Sequence, residues 1–451
     1  MITRFCLYSI FKNLRFADPF FVLYLLSLGR SFTEIGLLLG YQHVLTVCTE
    51  VPSGYLADRC GRRQSLMACF LAYFLCFALL GLTSSLPQSV HLLSLFAALT
   101  CFGLAEAMRT GSHKAIMLDY LDMNGQSDRA TEVIGLTRAW SKYSAGASAL
   151  CGGLILFATQ RFDELFWLSA LPSASGVVLM FTYPRYLDGE CSRTADVGEK
   201  SLVEWRQGLL AMWGNPQLVR LLLQSIVYES QLELILKYYA QPIVKVGLAQ
   251  HGILLSAASA NASILDRSAA VWIGCLEFIR ESVGGAAARM SRRVEQAQSN
   301  QLQALNICYM VATFASVLIV GAFLFWKDWL LPASAFFVLL ALLQNVRRPM
   351  FVSALNAGME KSMRATILSA ESVARSLVTA LTLPLMGVVA DQFGLEYAIL
   401  LPAVGLLLGW RLMLRSSAPE TPCKRISSNF HSPPGNDVAP EAKAVVSDPQ
   451  N

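Results

Sequence analysis

Two acidic residues lie in otherwise apolar segments, each close to a proline. Asp18 precedes Pro19, which can open the helix backbone locally, and Glu50 lies two residues before Pro52. An ionisable group at membrane depth costs roughly 2.5–3.5 kcal/mol, so it is expected to line a cavity or to have a partner. A desolvated carboxyl group takes up a proton and releases it when a cation or substrate arrives. Asp18 and Glu50 are therefore predicted to couple proton movement; the alternative for Asp18 is a capping or pairing role near a helix end.

A polar stripe occurs further along the chain. Glu106 and Arg109 lie one helical turn apart, and His113 follows Arg109 by four residues, so on a continuous helix the three share a face. Such a stripe binds an anionic group or relays protons in one interpretation, and in the other it is a structural ion pair.

A similar stripe places Glu229, Glu233 and Lys237 at four-residue steps, with Tyr228 beside it. The candidate substrate-binding residues are Glu106, Arg109, His113, Tyr228, Glu229, Glu233 and Lys237. Two further sets are predicted to form structural ion pairs within themselves: Glu277 with Arg280 and Glu281, and Glu371 with Arg375.

These charges lie in a strongly apolar chain. Of its 451 residues, 54% are hydrophobic and 15% charged, against about a quarter charged in soluble domains. Apolar runs recur at close to the ~20 residues that cross a bilayer, where only a helix or a closed barrel satisfies its backbone. The sequence predicts an all-α, polytopic membrane protein with about twelve transmembrane helices, over 8–28, 35–56, 64–84, 91–118, 133–158, 165–183, 217–239, 269–287, 302–326, 330–352, 365–390 and 397–414.

Lysine and arginine concentrate in alternate junctions between these spans. This bias predicts that both termini and the central loop are cytoplasmic, and Arg4, Lys12 and Arg15 are counted with the amino terminus. The predicted organisation is a six-helix bundle (1–183), a cytoplasmic loop (184–216), a second six-helix bundle (217–414) and a disordered cytoplasmic tail (415–451). The predicted location is the plasma (inner) membrane, as a multi-pass protein.

The two halves carry an internal repeat. The segment from Gly54 to Arg63 has a counterpart from Gly284 to Arg293, and Arg129-Ala130-Thr131 has one in Arg364-Ala365-Thr366. Both pairs are separated by about 230 residues, which indicates two six-helix halves in parallel relation.

The segment Gly54–Leu66 resembles the loop signature between helices two and three of the major facilitator superfamily, with every fixed position present. The resemblance extends over about residues 8–414. It implies a two-bundle, alternating-access fold in which helices one, four, seven and ten line the cavity.

The resemblance also implies a conformational lock formed by Gly54, Asp58, Arg59, Gly61, Arg62, Arg63 and Asp119. Gly54 would permit close helix approach, Asp58 would accept hydrogen bonds from a helix N-terminus, and Arg62 would pair with Asp119 in the outward-facing state. The alternative is a set of solvated charges that only orient the protein. Ala288 replaces the acid in the second copy, so the gate is expected to be asymmetric.

Within the superfamily, the fourth span (Gly103–Leu121) resembles the drug-efflux-type antiporter branch. The fifth-helix antiporter signature is met only in part, because Gly146, Gly152 and Gly153 are present and its proline is not.

We therefore expect a proton-coupled exporter of a small amphipathic organic compound that works by alternating access. The alternatives are uptake of an anionic metabolite attracted by Arg109 and Lys114, and a non-transporting receptor or scaffold. The sequence has no nucleotide loop or catalytic grouping, and its eleven cysteines are scattered, so we expect no enzyme activity, cofactor or metal site. The expected partners are a small-molecule substrate, protons and the lipid bilayer, with no nucleic acid and a monomeric chain.

Overall fold

The computed structural model describes residues 1–110, 112–126, 129–188, 216–250, 267–297, 301–325, 335–357 and 364–413. All regular secondary structure in these ranges is helical, which confirms the predicted all-α membrane fold. Most of the predicted central loop (189–215) and the predicted disordered tail (415–451) lie outside the described residues, as do the side chains of 288–293 in the second repeat copy.

Among the described residues, the first half of the chain forms eight helices. They are α1 (Ile2–Asn13), α2 (Phe21–Ser27), α3 (Phe32–Cys60), α4 (Arg62–Thr83), α5 (Gln88–Arg109), α6 (Ser112–Met123), α7 (Ala130–Thr159) and α8 (Phe162–Phe181). A 3₁₀ turn at Asp18–Phe20 joins α1 to α2, and a second one at Arg185–Asp188 follows α8.

The second half also forms eight helices. They are α9 (Pro216–Glu233), α10 (Ala240–Gln250), α11 (Arg267–Ala297), α12 (Gln301–Phe325), α13 (Ala335–Ala357), α14 (Arg364–Phe393), α15 (Leu395–Ala398) and α16 (Leu400–Gly409). A π-helical turn at Leu234–Tyr239 joins α9 to α10 without a break, and a 3₁₀ turn at Trp410–Leu412 ends the described chain.

Seven helical segments among the described residues are long and apolar enough to cross a membrane. They are Arg62–Thr83, Gln88–Met123, Phe162–Phe181, Leu302–Phe325, Ala335–Leu355, Ile367–Phe393 and Leu395–Leu412. Helix α11 has the length but carries Glu277, Arg280 and Glu281, so its composition sets it apart.

Three of the predicted spans are interrupted rather than regular. The first unwinds between Asn13 and Phe21 around Pro19, as the Asp18–Pro19 pair predicted. The fourth breaks where Thr110 takes an extended conformation (ψ 123°) after α5. The seventh contains the π turn, which widens the helix by one residue per turn. All three interruptions lie in helices that the family resemblance assigns to the cavity wall.

Two helix pairs hold the halves together, α3 with α14 and α7 with α11. Glycines permit both approaches: a methyl group on Gly40 would lie 2.8 Å from the carbonyl oxygen of Ala380, and one on Gly274 would lie 2.8 Å from that of Ala149. Gly153 packs against Gly274 at the same crossing. Small residues let the backbones approach to van der Waals distance, where lipid offers no hydrophobic drive.

The two sides of the helix assembly are named here by residues that mark them. The Arg62 end is the side where α3 ends and α4 begins, and the Asp391 end is the side where α3 begins and α14 ends. Helix α3 begins at the Asp391 end with a capping box, because Ser31 and Glu34 each bond the other's backbone N–H (3.2 and 3.0 Å).

Candidate functional site

A cavity of about 470 Å³ lies between the two halves. The first half contributes the α1–α2 break and parts of α3, α4, α5, α7 and α8; the second contributes the π turn with its flanks, α11, α13 and α14. Its wall combines aromatic rings (Phe21, Phe77, Phe102, Phe166 and Tyr238) with nine ionisable side chains. A volume of this size accommodates a small organic molecule.

The α1–α2 break brings two opposite charges to the cavity wall. Pro19 sits in the first turn of the 3₁₀ segment, where its fixed φ is tolerated, and Asp18 begins that segment with half of its side chain exposed. Arg15 reaches Asp18 at 3.6 Å and Glu106 at 3.1 Å, and its guanidinium lies over the ring of Tyr73 at 4.3 Å.

The position of Arg15 corrects the sequence analysis. Arg15 was counted with the cytoplasmic amino terminus, but its side chain is only 11% exposed and lines the cavity. The break in the first span folds Arg15 inward, where Glu106 and Asp18 balance its charge. An Arg three residues before a mid-span Asp was the available signal.

Glu106 is the centre of a buried ionic network. Its carboxylate accepts hydrogen bonds from Arg15 (3.1 Å), Arg109 (2.5 and 3.1 Å) and the hydroxyl of Tyr73 (2.6 Å). The predicted pairing of Glu106 with Arg109 is therefore present, although neither lines the cavity directly. Glu106 lies outside the cavity wall, and its bond to Arg15 holds the Arg15 guanidinium in the wall.

The predicted stripe does not continue to His113, which does not share a helix face with Glu106 and Arg109. The extended backbone at Thr110 ends α5, so the i, i+4 relation across residues 109–113 is lost. His113 instead stacks on the ring of Tyr8 (3.6 Å between centroids) and lies 3.4 Å from the Tyr183 hydroxyl. It is 7% exposed and absent from the cavity wall, in a packed aromatic environment.

The second-half stripe divides between the cavity and the helix interior. Glu233 and Lys237 line the cavity and pair at 3.4 Å. Tyr238 also lines it and bonds His43 of the first half at 2.7 Å. Gln241, one turn further on, accepts a hydrogen bond from the backbone N–H of Val22 at 3.3 Å. The π turn thus sits against the α1–α2 break.

Glu229 and Tyr228 lie deeper, away from the cavity wall. Glu229 is 4% exposed; one carboxyl oxygen accepts a hydrogen bond from Gln344 at 2.9 Å, and the other is buried without a partner in the described part of the chain. Arg347 is fully buried over the Tyr228 ring (4.2 Å) and donates to Gln224 at 3.1 Å. Its Nε and Nη1, and the Tyr228 hydroxyl, lack partners among the described residues.

A third charge cluster bridges the halves. Arg280 bonds both Glu277 and Glu281, as predicted, and Lys142 of the first half reaches Glu281 at 2.9 Å. All four line the cavity, which the sequence analysis did not anticipate for a set interpreted as structural. Lys142, a charged residue inside the predicted fifth span, was the missed signal.

The predicted Glu371–Arg375 pair is wrong. Glu371 is buried and bonded by both terminal nitrogens of Arg348 (2.8 and 2.9 Å) and by Ser225 (3.1 Å). Arg348, on α13, offers a bidentate fork that outcompetes a neighbour on the same helix. Arg375 is left on the cavity wall, where its strongest hydrogen bond among the described residues is to Ser372, at 3.4 Å.

The signature segment at the Arg62 end combines one predicted contact with one correction. Arg62 bonds Asp119 at 2.5 Å, and Gly61 adopts φ +101°, a conformation that favours glycine. The following amide, of Arg63, donates to Asp188 (3.0 Å), a partner that the sequence analysis missed. The side chain of Asp58 lies outside the described residues, and Arg59 is exposed.

The structure does not give Gly54 the predicted role. A methyl group placed there would meet nothing within 4 Å, so Gly54 mediates no close helix approach in this structure. The close α3–α14 approach occurs at Gly36 and Gly40, near the Asp391 end. The final three turns of α3 instead expose Val51 (74%) and Tyr55 (51%), because the contact with the other half lies at the opposite end of the helix.

The described residues contain no group of three or more His, Cys, Asp or Glu side chains that would hold a metal ion. Of the predicted site residues, Asp18, Glu233 and Lys237 line the cavity, and Glu106 supports it through Arg15. Glu50 is half-buried on α3 and outside the wall.

Comparison with known proteins connects this geometry to transport. The family model described as Major Facilitator Superfamily matches residues 2–274, well over half of the chain. A Na⁺, Li⁺, K⁺/H⁺ antiporter of Planococcus maritimus is 23% identical over 235 residues, a match that covers 52% of this chain and 49% of that protein. The chain therefore spans about half the length of this relative.

Several solved structures share the fold. The nucleoside transporter NupG superimposes with a TM-score of 0.67 at 11% identity, covering 91% of this chain and 98% of that one. A D-xylose–proton symporter gives 0.66 at 12% identity, covering 91% and 97%. A POT family transporter in complex with a thioalcohol-conjugated peptide gives 0.65 at 12% identity, covering 91% and 95%. At these identities the likeness concerns the fold alone.

Proposed function

This chain belongs to the major facilitator superfamily, and from that premise we propose that it is a proton-coupled secondary transporter that exports a small amphipathic organic compound. The observation that carries the proposal is the cavity between the halves, which combines apolar rings with charged groups. An apolar body would pack against Phe77, Phe102 and Phe166, while polar groups of the compound would meet the paired charges.

Proton coupling needs a carboxyl group that changes its protonation during the cycle. Glu229 is a candidate by its position, because one of its carboxyl oxygens is buried without a hydrogen-bond partner among the described residues. Arg347 has donors without partners among the described residues, so it would attract a negatively charged carboxylate nearby.

Asp18 and Glu50 are the sequence-based candidates for the same role. Asp18 lies on the cavity wall, weakly held by Arg15 at 3.6 Å, so substrate or solvent reaches it directly. Glu50 is half-buried and makes no ion pair among the described residues. We propose that Asp18 exchanges protons with the cavity and that Glu229 holds one within the second half.

Alternating access would use a lock at one end of the helix assembly. At the Arg62 end, the Arg62–Asp119 pair with Asp58 would lock the outward-facing state, with Gly54, Arg59, Gly61 and Arg63 as its frame. The direction of transport rests on the resemblance of the fourth span to the drug-efflux-type branch.

A second candidate is alkali-cation/proton antiport, the activity named for the Planococcus maritimus relative. The cavity favours it less, because Asp18, Glu233, Glu277 and Glu281 each lie within ion-pair distance of a lysine or arginine. A bare cation would have to displace one of these partners.

Uptake of an anionic metabolite through Arg109 and Lys114 is a further alternative. Arg109 is already bonded to Glu106, which reduces its value as a direct ligand. A receptor or scaffold without transport is disfavoured because each buried charge needs a use or a partner. We propose no enzymatic activity.

The proposed location is the plasma (inner) membrane, with both termini cytoplasmic and a monomeric chain. The segment 245–267 would then face outside. In a chain freed of native cysteines, Ala249→Cys should react with an impermeant maleimide in intact cells; labelling that requires permeabilisation would reverse the orientation.

The deciding experiment uses the purified chain in liposomes with an imposed pH gradient. A panel of amphipathic compounds and alkali cations is added, and internal pH and solute uptake are recorded together. Proton movement that requires an organic compound supports the proposal; movement driven by Na⁺, Li⁺ or K⁺ alone supports the second candidate. Solute flux without proton movement would contradict coupling.

A further inference from the structure

The charges on the cavity wall do not balance. Four acids line it, Asp18, Glu233, Glu277 and Glu281, against five bases, Arg15, Lys142, Lys237, Arg280 and Arg375. Four of the bases each pair with one of these acids. Arg375 makes no ion pair among the described residues, so the wall carries one uncompensated positive charge.

Arg375 also keeps hydrogen-bonding capacity. Its Nη2 makes one long bond to Ser372 (3.4 Å), and its Nε is buried without a partner among the described residues. The acid one turn away, Glu371, is fully occupied by Arg348 and Ser225. Arg375 lies within a membrane-spanning segment, where an unpaired guanidinium is costly and usually marks a function.

Other acids near Arg375 do not neutralise it. Neither Glu50 nor Glu233 forms an ion pair with it in the described part of the chain, and Glu233 is held by Lys237. A guanidinium with free donors in a planar fork matches a carboxylate in shape and charge.

A further basic residue lies one helical turn away from the cavity. Arg138 is exposed, and it precedes the cavity-lining Lys142 by four residues on α7. A positive charge beside the cavity concentrates ions of opposite sign there.

We propose that the transported compound is an organic carboxylate, whose negative group binds the guanidinium of Arg375 and whose apolar body packs against the aromatic wall. Arg138, exposed one helical turn from the cavity-lining Lys142, adds to the positive potential that attracts it. This inference rests on the proposed transport function and adds to it the charge of the substrate and the residue that recognises it.

Three compounds that share one ring system test which charge the transported compound carries. Purified full-length protein in detergent is titrated with 1-naphthylacetate, 1-naphthylacetamide and 1-naphthylmethylamine, and binding is measured by the shift in thermal unfolding. The carboxylate should bind at least about tenfold more tightly than the neutral amide, as expected for a charge-assisted hydrogen bond. Equal binding of the three compounds, or preference for the amine, would overturn the proposal.

Variants of Arg375 test whether this residue recognises the carboxylate. Arg375→Gln should remove the preference for the carboxylate while leaving affinity for the amide unchanged, and Arg375→Lys should retain part of it. Arg161→Gln is the matched control, because Arg161 is 65% exposed and pairs with Asp163 outside the cavity. If Arg375→Gln does not fold, Arg375→Lys decides: full retention of the preference with the fork removed contradicts the proposal.

A flux measurement separates this inference from the proposed function. The protein could bind naphthylacetate in an Arg375-dependent manner and yet move no compound when a pH gradient is imposed. This result would support the carboxylate site and contradict proton-coupled transport. Proton-coupled flux of naphthylmethylamine alone would support transport and contradict the carboxylate site.

Discussion

The carboxylate of Asp391 accepts a hydrogen bond from the backbone N–H of Phe32, at 2.9 Å, across the boundary between the two halves. Its second oxygen accepts one from Thr33 at 2.8 Å. Asp391 thus caps the first turn of α3, where two backbone donors lack partners within their own helix. This is the role predicted for Asp58, performed here at the opposite end of the same helix.

We predict that Asp391→Ala loosens the Asp391 end. Removal of a helix-capping acceptor typically costs about 1 kcal/mol, which corresponds to a roughly fivefold shift in population. Spin labels at Arg30→Cys and Gln392→Cys, in a chain freed of native cysteines, should report a larger fraction of long distances by pulsed electron resonance. Asp163→Ala, which removes a contact within the first half, is the control. An unchanged distance distribution in the Asp391 variant would show that Asp391 does not hold the two halves together at this end.

A second prediction concerns the α7–α11 crossing. Gly274→Ala places a methyl group 2.8 Å from the carbonyl oxygen of Ala149, so the helices must separate. Overpacking of this kind costs about 1–3 kcal/mol and should lower the unfolding temperature in detergent. Gly321→Ala is the matched control, since a methyl group there meets nothing within 4 Å and alanine favours a helix. Equal melting of the two variants would show that the crossing tolerates expansion.

A third prediction tests the lock at the Arg62 end. Asp58→Ala should reduce transport about 5–150-fold, the range of a coupling energy of 1–3 kcal/mol, while the protein still inserts and elutes as a folded species. Ala288→Asp, which restores the acid in the second repeat copy, should change transport little. Initial rates in liposomes, normalised to protein incorporated, provide the comparison. Normal transport by Asp58→Ala would place the lock elsewhere.

The sequence predicted what depends on local pattern. The length of the apolar runs predicted the helices, and the Asp18–Pro19 pair predicted the break in the first span. The resemblance to the superfamily signature predicted the Arg62–Asp119 contact. Partner choice between helices was not predictable in this way. Glu371 was assigned to Arg375 because they are four residues apart, yet Arg348 from another helix binds it in two places. Likewise, Arg15 resembled a terminal topology signal until the break folded it inward.

The last prediction distinguishes the two proposed proton sites. Asp18→Asn keeps size and one acceptor but cannot titrate, so it should abolish flux driven by a pH gradient while binding of the transported compound changes only a few-fold. The small binding effect is expected because Asp18 is half exposed and held only by Arg15, at 3.6 Å. Glu229→Gln mimics the protonated carboxyl group and lies away from the cavity wall, so it should also abolish gradient-driven flux but retain exchange of labelled for unlabelled compound. Flux and equilibrium exchange are measured on the same liposomes, with Glu164→Gln, an exposed acid at the start of α8, as control. Undiminished proton-driven flux in Asp18→Asn would remove Asp18 from the mechanism and leave Glu229 and Glu50 as the remaining carboxyl groups; loss of exchange in Glu229→Gln would indicate a structural role for that residue instead.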